Sequence, residues 1–153
     1  MSKIKIEFTI ELPKAIQNLM EKDIVTYESS YGIDVNYKKF SLVMKEESQV
    51  VGVLNAFTAF SEIYIDDMWV HSSCRKKGYG RKLIKNLEDT FKNQGFNNIN
   101  LVTSAFQAPQ FYKKCGFTLE FTRENKANPT LTKHFFVKFF EDQNQHQGIL
   151  ERE

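Results

Sequence analysis

The chain has 153 residues, 41% of them hydrophobic, and a formal net charge of only +2 at pH 7. This length and composition suit a single folded domain with one core. The weak net charge does not favour a nucleic-acid partner, which usually requires a broad positive surface. The two cysteines, Cys74 and Cys115, show neither metal-binding spacing nor a disulfide framework, so we expect no metal and a reducing, cytoplasmic setting. We also expect no secretory signal and no membrane partner.

The first half of the chain predicts an antiparallel start to a sheet. Residues 1–12 alternate apolar and charged side chains, which predicts a first strand. Pro13 then opens a stretch with apolar residues near helical spacing. Residues 40–44 and 50–59 flank a charged turn and predict a hairpin, and residues 62–70 continue it as a third strand.

A basic, glycine-containing cluster follows that strand. Residues 75–85 contain six cationic side chains, two glycines and no acid, at the start of a predicted amphipathic helix over residues 79–93. Gly78 and Gly80 let backbone N–H groups approach a ligand, and the helix adds its positive end. The cluster therefore predicts a polyphosphate site, although a solvated first helical turn is the alternative. It matches neither the Walker A nor the dinucleotide fingerprint.

The second half of the chain predicts a strand, a short helix and two closing strands. The strand covers residues 99–103 and the helix residues 107–114. The closing strands cover residues 117–121 and 134–140. We therefore predict one α/β domain over residues 1–140, followed by a polar tail over residues 141–153.

Two motifs in this part of the chain carry a family resemblance. Arg75-x-x-Gly78-x-Gly80, five residues after Val70, resembles the acyl-CoA-binding signature of the GNAT superfamily of N-acetyltransferases. A second segment resembles that family's Ala-x-x-Phe-Tyr-x-Lys-x-Gly-Phe motif, through Ala108, Phe111, Tyr112, Lys114, Gly116 and Phe117. Many members carry Asn three residues before that alanine, whereas this chain has Ala105, so any CoA contact of the asparagine is lost. The resemblance implies a twisted mixed sheet flanked by helices, whose central parallel strands splay apart to admit CoA.

The resemblance also implies a set of site residues, with acetyl-CoA as co-substrate. The loop and helix start would bind its pyrophosphate, and the preceding strand would pair with its pantetheine arm. The residues in these two roles, with those from the second motif, are Met68, Trp69, Val70, Arg75, Lys76, Lys77, Gly78, Tyr79, Gly80, Arg81, Ala108, Phe111 and Tyr112. Tyr112 occupies the place of the family's general acid, which would donate a proton to the departing sulfur. A backbone N–H on residues 68–70 would stabilise the oxyanion.

The reaction also needs a base, because an amine with a pKa near about 10 is protonated at neutral pH. The candidates on or beside the third strand are Glu62, Asp66 and Asp67. Strand alternation places Asp66 on the face of Met68, and Asp67 on the face of Ile65 and Trp69. Each acid could equally keep a strand edge soluble or pair with a nearby lysine. His71 and His134 are weaker candidates for the base, and water could serve instead.

The leading hypothesis is an N-acetyltransferase that moves the acetyl group of acetyl-CoA directly to an amine in a ternary complex. The acceptor could be a small molecule, a peptide or a protein. One alternative is a non-catalytic acyl-CoA-binding or sensing module. Another is a toxin-like acetyltransferase acting on aminoacyl-tRNA, against which the weak net charge counts. We expect a monomer or a homodimer.

Overall fold

The computed structural model of the chain describes residues 2–140 and divides it into two compact units, the first ending at Val35 and the second beginning at Asn36. In the first unit, helix α1 spans Lys14–Ser30 and follows Pro13. Gly32, at φ +69°, donates its N–H to the carbonyl of Ser29 and closes the helix in a left-handed turn. The predicted tail over residues 141–153 lies outside the described residues.

The prediction of a first strand over residues 1–12 is wrong for the described residues 2–12, which contain no strand. Alternation alone does not make a strand, because its backbone N–H and C=O groups also need a partner strand. None of the helices between residues 2 and 140 combines the length and the hydropathy that a membrane span requires.

The second unit is built on a mixed sheet of six strands in the order β1-β2-β3-β4-β6-β5. The strands are β1 Lys38–Glu46, β2 Gln49–Ala59, β3 Glu62–Val70, β4 Asn98–Ser104, β5 Thr118–Arg123 and β6 Lys133–Phe139. The helices are α2 Tyr79–Phe91 and α3 Pro109–Lys114, with short 3-10 turns at Ser72–Cys74 and Pro129–Leu131. The predicted mixed sheet with helices is confirmed.

The sheet is almost divided between its two central strands. Strands β1, β2 and β3 form an antiparallel meander, and β4, β6 and β5 are also joined by antiparallel pairing. The parallel pairing of β3 with β4 covers only Glu62, Tyr64 and the residue between them, opposite residues 98–100. Beyond these pairs the two strands diverge, so a gap opens toward the C-terminal end of β3.

A β-bulge in β3 sets the faces of the residues beside this gap. Asn55 of β2 pairs with Asp67, whereas the next residue of β2 pairs with Ile65, so Asp66 is the extra residue. The predicted faces of the two acids are therefore partly wrong. Asp67 shares a face with Trp69 but not with Ile65, because the bulge reverses the alternation between them. Met68 lies on the same face as Ile65, and Asp66 lies in the bulge itself.

The core lies on one face of the sheet, beneath α2. Leu83, Ile84 and Leu87 of this helix are at most 3% exposed and belong to one cluster with strand residues such as Leu54 and Ile63. Burying a side chain of this size stabilises the fold by about 1.5–3 kcal/mol. This packing fixes the N-terminal end of α2 beside the end of β3.

Candidate active site

A basic cavity of about 780 Å³ lies between the start of α2, the end of β3 and helix α3. Cavities that hold small ligands and cofactors have volumes of about 300–1,000 Å³. Its lining residues are Met68, Val70, Cys74, Arg75, Lys76, Gly78, Tyr79, Gly80, Arg81, Ala108, Phe111 and Lys114. Four of these side chains are cationic and none is acidic, so the cavity is suited to an anionic ligand.

The first turn of α2 points unpaired donors toward this cavity. Gly78, at φ +79°, precedes the helix in the left-handed conformation, and no side chain in the described part of the chain caps the helix there. The first N–H groups of a helix have no partner within the helix. Together with the positive end of the helix dipole, they form a phosphate-binding position.

Only some of the cationic residues in the predicted basic cluster line the cavity. Arg75, Lys76 and Arg81 line the cavity. Lys85 instead forms an ion pair with Asp89 at 2.9 Å, and Lys82 lies over the ring of Tyr79 at 5.5 Å from its centroid. Lys77, Lys82 and Lys85 are not among the lining residues.

Lys114 is a fourth cation of the cavity that sequence reasoning did not assign to anion binding. It lies in the last turn of α3, and its carbonyl accepts a hydrogen bond from Arg81 Nη2 at 3.3 Å. The motif that contains Lys114 was recognised from the sequence. Its place beside the start of α2 depends on tertiary packing, which no local pattern reveals.

Strand β3 presents both side chains and backbone to the cavity and the gap. Met68 and Val70 line the cavity, whereas Trp69 lies on the opposite face. Beyond Tyr64, the edge of β3 that faces β4 has no strand partner among residues 2–140. Unpaired N–H and C=O groups of this kind can add an extended ligand as though it were another strand.

Tyr112 is a buried phenol held by other aromatic rings. Its side chain is 9% exposed and packs against Phe117 and Phe136, with ring centroids 5.8 and 6.3 Å away. Burial, more than the neighbouring Cys115 and Asp67, raises the pKa of Tyr112 to about 12. The phenol therefore keeps its proton at neutral pH and can act there as a donor, not as a base.

The three predicted bases have different surroundings. Asp66 and Asp67 are exposed, and Asp67 Oδ1 accepts a hydrogen bond from Asn55 Nδ2 at 2.7 Å. Both oxygens of Glu62 are occupied, one by the hydroxyl of Tyr64 and the other by Asn98 Nδ2 at 3.0 Å. The hydrogen bond that the hydroxyl of Tyr64 donates to Glu62 is the main cause of the raised pKa of Tyr64.

Glu62 therefore holds β3 against β4 in the region where the two strands are paired. Asp67 lies farther along β3, and Tyr112 lies on the helix that follows β4. These two groups thus come from the elements that border the gap, and the charge of Asp67 contributes to the raised pKa of Tyr112.

We expect Glu62→Gln to lower the free energy of unfolding by about 1 kcal/mol, because the carboxylate loses one of its two acceptor oxygens. The pH dependence of turnover should not change, since Glu62 is bound within the β3–β4 pairing. Denaturant unfolding and a pH–rate profile would measure the two effects. Asp67→Asn is the matched control: if Glu62→Gln alone abolished the pH dependence, Glu62 and not Asp67 would be the base.

Comparison with known proteins places this architecture among acetyltransferases. Residues 10–117 match the family described as the acetyltransferase (GNAT) family. Blasticidin-S acetyltransferase of Streptomyces morookaense is 29% identical over 94 residues, covering 61% of this chain and 68% of that protein. The crystal structure of an acetyltransferase from Bacillus cereus ATCC 14579 superposes with a TM-score of 0.70 and 28% identity, covering 87% of this chain and 97% of the other.

A Bacillus subtilis acetyltransferase, solved in complex with CoA, has the same fold. Its TM-score is 0.58 at 19% identity, and the match covers 90% of this chain and 99% of the other. At that level of identity the likeness concerns the fold alone.

Proposed function

The chain belongs to the acetyltransferase (GNAT) family, and from that membership we propose that it transfers the acetyl group of acetyl-CoA directly to an amine within a ternary complex. The observation that carries the proposal is the gap between β3 and β4, which opens beside the basic cavity at the start of α2. An extended ligand with an anionic end matches both features. The prediction of an acetyltransferase with acetyl-CoA as co-substrate agrees with the family.

The residues present fit the chemical parts of acetyl-CoA. Its pyrophosphate would bind the N–H groups at the start of α2, with Arg75, Arg81 and Lys114 supplying charge. Its pantetheine arm would lie along the unpaired edge of β3. Phe111 and Met68 would provide apolar contact between these two regions.

When bound, acetyl-CoA supplies the thioester whose acetyl group passes from sulfur to the amine nitrogen. A backbone N–H on residues 68–70 would stabilise the charge that develops on the carbonyl oxygen. Asp67 would take the proton from the attacking amine, and Tyr112 Oη would give its proton to the sulfur. The proton that Tyr112 holds at neutral pH suits this direction of transfer.

A small-molecule amine is the acceptor that we favour. The relative from Streptomyces morookaense is named for the small molecule blasticidin S, and it shares 29% identity over 94 residues. Peptide and protein amines remain alternatives. The single domain, the cytoplasmic location and the oligomeric state stay predictions.

Isothermal titration with acetyl-CoA tests the proposal, with ATP and desulfo-CoA as comparison ligands. We expect micromolar binding of acetyl-CoA and of desulfo-CoA, and weaker binding of ATP, because ATP cannot occupy the edge of β3. Each amine of a panel of primary amines is then added with acetyl-CoA, and the rate at which free CoA thiol is released identifies the acceptor class. A folded sample that does not bind acetyl-CoA, or that prefers ATP, would contradict the proposed function.

A further inference from the structure

Three polar side chains form a row across the first three strands of the sheet. Ser41 of β1 pairs in register with Asn55 of β2, which pairs in register with Asp67 of β3. The bulge at Asp66 places Asp67 in this row. The row lies on the sheet face opposite the buried Leu54 and its neighbours.

Hydrogen bonds connect the row in one direction. The hydroxyl of Ser41 donates to Asn55 Oδ1 at 2.6 Å, and Asn55 Nδ2 donates to Asp67 Oδ1 at 2.7 Å. Because Oδ1 of Asn55 is engaged by Ser41, its NH₂ group is turned toward the carboxylate. Within residues 2–140, Oδ2 of Asp67 has no hydrogen-bond partner, so this oxygen is available to a ligand.

Aromatic rings lie on both sides of this carboxylate on the same face. Trp69 follows Asp67 by two residues and is 45% exposed. On the other side, Phe57 of β2 and Tyr64 of β3 are stacked, with ring centroids 5.0 Å apart and planes 16° apart. A carboxylate between aromatic rings suits an organic ammonium group, which binds to both.

We propose that Asn55 is a positioning residue for the acceptor, oriented by Ser41 and holding Asp67 so that its free oxygen binds the ammonium group of an amine with an apolar or aromatic body. This inference rests on the proposed function, and it specifies the substrate class at the same site. Asp67 lies in the part of β3 beyond its pairing with β4, and this part of the strand borders the gap where the acetyl-CoA arm is proposed to lie. Asn55 itself does not contact the reacting atoms.

The test adds phenethylamine as the probe and follows the NMR resonance of the indole N–H of Trp69, the one tryptophan of the chain. We expect the amine to shift this resonance in a saturable way, and 2-phenylethanol, which lacks the charge, to shift it far less. The side-chain amide of Gln94, which donates a hydrogen bond to the carbonyl of Thr90 on α2, is the internal reference, and its resonance should not shift. Absence of a shift with phenethylamine, or an equal shift in Asp67→Asn, would overturn the proposal.

Variants of the row separate positioning from a merely structural role. Asn55→Ala should weaken amine binding about tenfold, the loss expected when a hydrogen bond to a charged group is removed. Ser41→Ala should weaken it less, and Ser41→Thr, which keeps the hydroxyl, should restore it. The KM for an amine substrate should rise in Asn55→Ala more than kcat falls. Equal amine binding in Ser41→Ala and Ser41→Thr would remove Ser41 from the proposal, and unchanged binding in Asn55→Ala would remove Asn55.

Calorimetry with acetyl-CoA distinguishes failure of this inference from failure of the proposed function. All four row variants should bind acetyl-CoA as the wild type does, because none of their side chains lines the basic cavity. If the wild type binds acetyl-CoA but the amine probe fails, the inference about the row is wrong and the proposed function stands. If the wild type does not bind acetyl-CoA, the proposed function is wrong.

Discussion

Replacing Tyr112 with phenylalanine should lower the turnover number by about 10²-fold or more, the usual contribution of a positioned acid. Affinity for acetyl-CoA should stay close to that of the wild type, because the ring and its contacts with Phe117 and Phe136 are retained. Steady-state kinetics at saturating acetyl-CoA and calorimetry would measure the two quantities. A variant with undiminished turnover would exclude Tyr112 as the acid.

Two controls accompany this result. Among residues 2–140, the hydroxyl of Tyr112 has no hydrogen-bond partner, so the phenylalanine variant should unfold at no lower denaturant concentration than the wild type. Because the pKa of Tyr112 is raised to about 12, the phenol stays largely protonated up to about pH 11. Loss of its proton should therefore cause no alkaline decline in rate below that pH. An alkaline decline centred near the ordinary tyrosine pKa, and absent from the variant, would contradict the burial argument.

Gly80→Val should weaken acetyl-CoA binding by about tenfold or more and destabilise the fold by about 1–3 kcal/mol. A Cβ atom at Gly80 would lie 2.9 Å from Phe111 Cζ and 3.4 Å from Met68 Cε. Both neighbours line the cavity, so relief of the clash would move one of them into the space for the cofactor. Calorimetry with acetyl-CoA and denaturant unfolding would measure the effects.

A second substitution tests the cause. Phe111→Ala removes the ring that the new side chain meets, so Gly80→Val should cost less stability in a Phe111→Ala background than in the wild type. At Gly78 a Cβ atom would meet nothing within 4 Å, so the left-handed backbone conformation is the one constraint on a substitution there. Gly78→Asn should therefore be mild, since asparagine tolerates that conformation. If both glycine variants lost affinity equally, close approach of a ligand and not packing would explain Gly80.

Local patterns were sufficient for most of the secondary structure. The strand predicted over residues 62–70 is β3, Glu62–Val70, and the helix predicted over residues 79–93 is α2, Tyr79–Phe91. The strand is rich in β-branched and aromatic residues and the helix has apolar residues at helical spacing, and both are local properties. Residues 1–12 alternate apolar and charged side chains, which is also a local pattern, yet residues 2–12 form no strand, since strand formation depends on a partner elsewhere.

The parts of the site that sequence reasoning missed depend on contacts between distant residues. The bulge at Asp66 exists only in the pairing of β3 with β2, so period-two alternation assigned Asp67 to the face of Ile65. The engagement of Glu62 by Asn98 joins residues 36 positions apart. The divergence of β3 from β4 was expected only from the family resemblance, because no local pattern encodes where a parallel pair ends.

The short pairing between β3 and β4 divides the sheet into two leaves, β1-β2-β3 and β4-β6-β5, that share little backbone hydrogen bonding. Three residue pairs carry the backbone connection between the leaves, and Glu62, Tyr64 and Asn98 reinforce it from the side chains. A ligand seated in the gap touches both leaves, so it adds the cross-link that the backbone lacks. Occupancy of the gap should therefore join the two leaves into a single cooperative unit and protect their facing amides from hydrogen exchange.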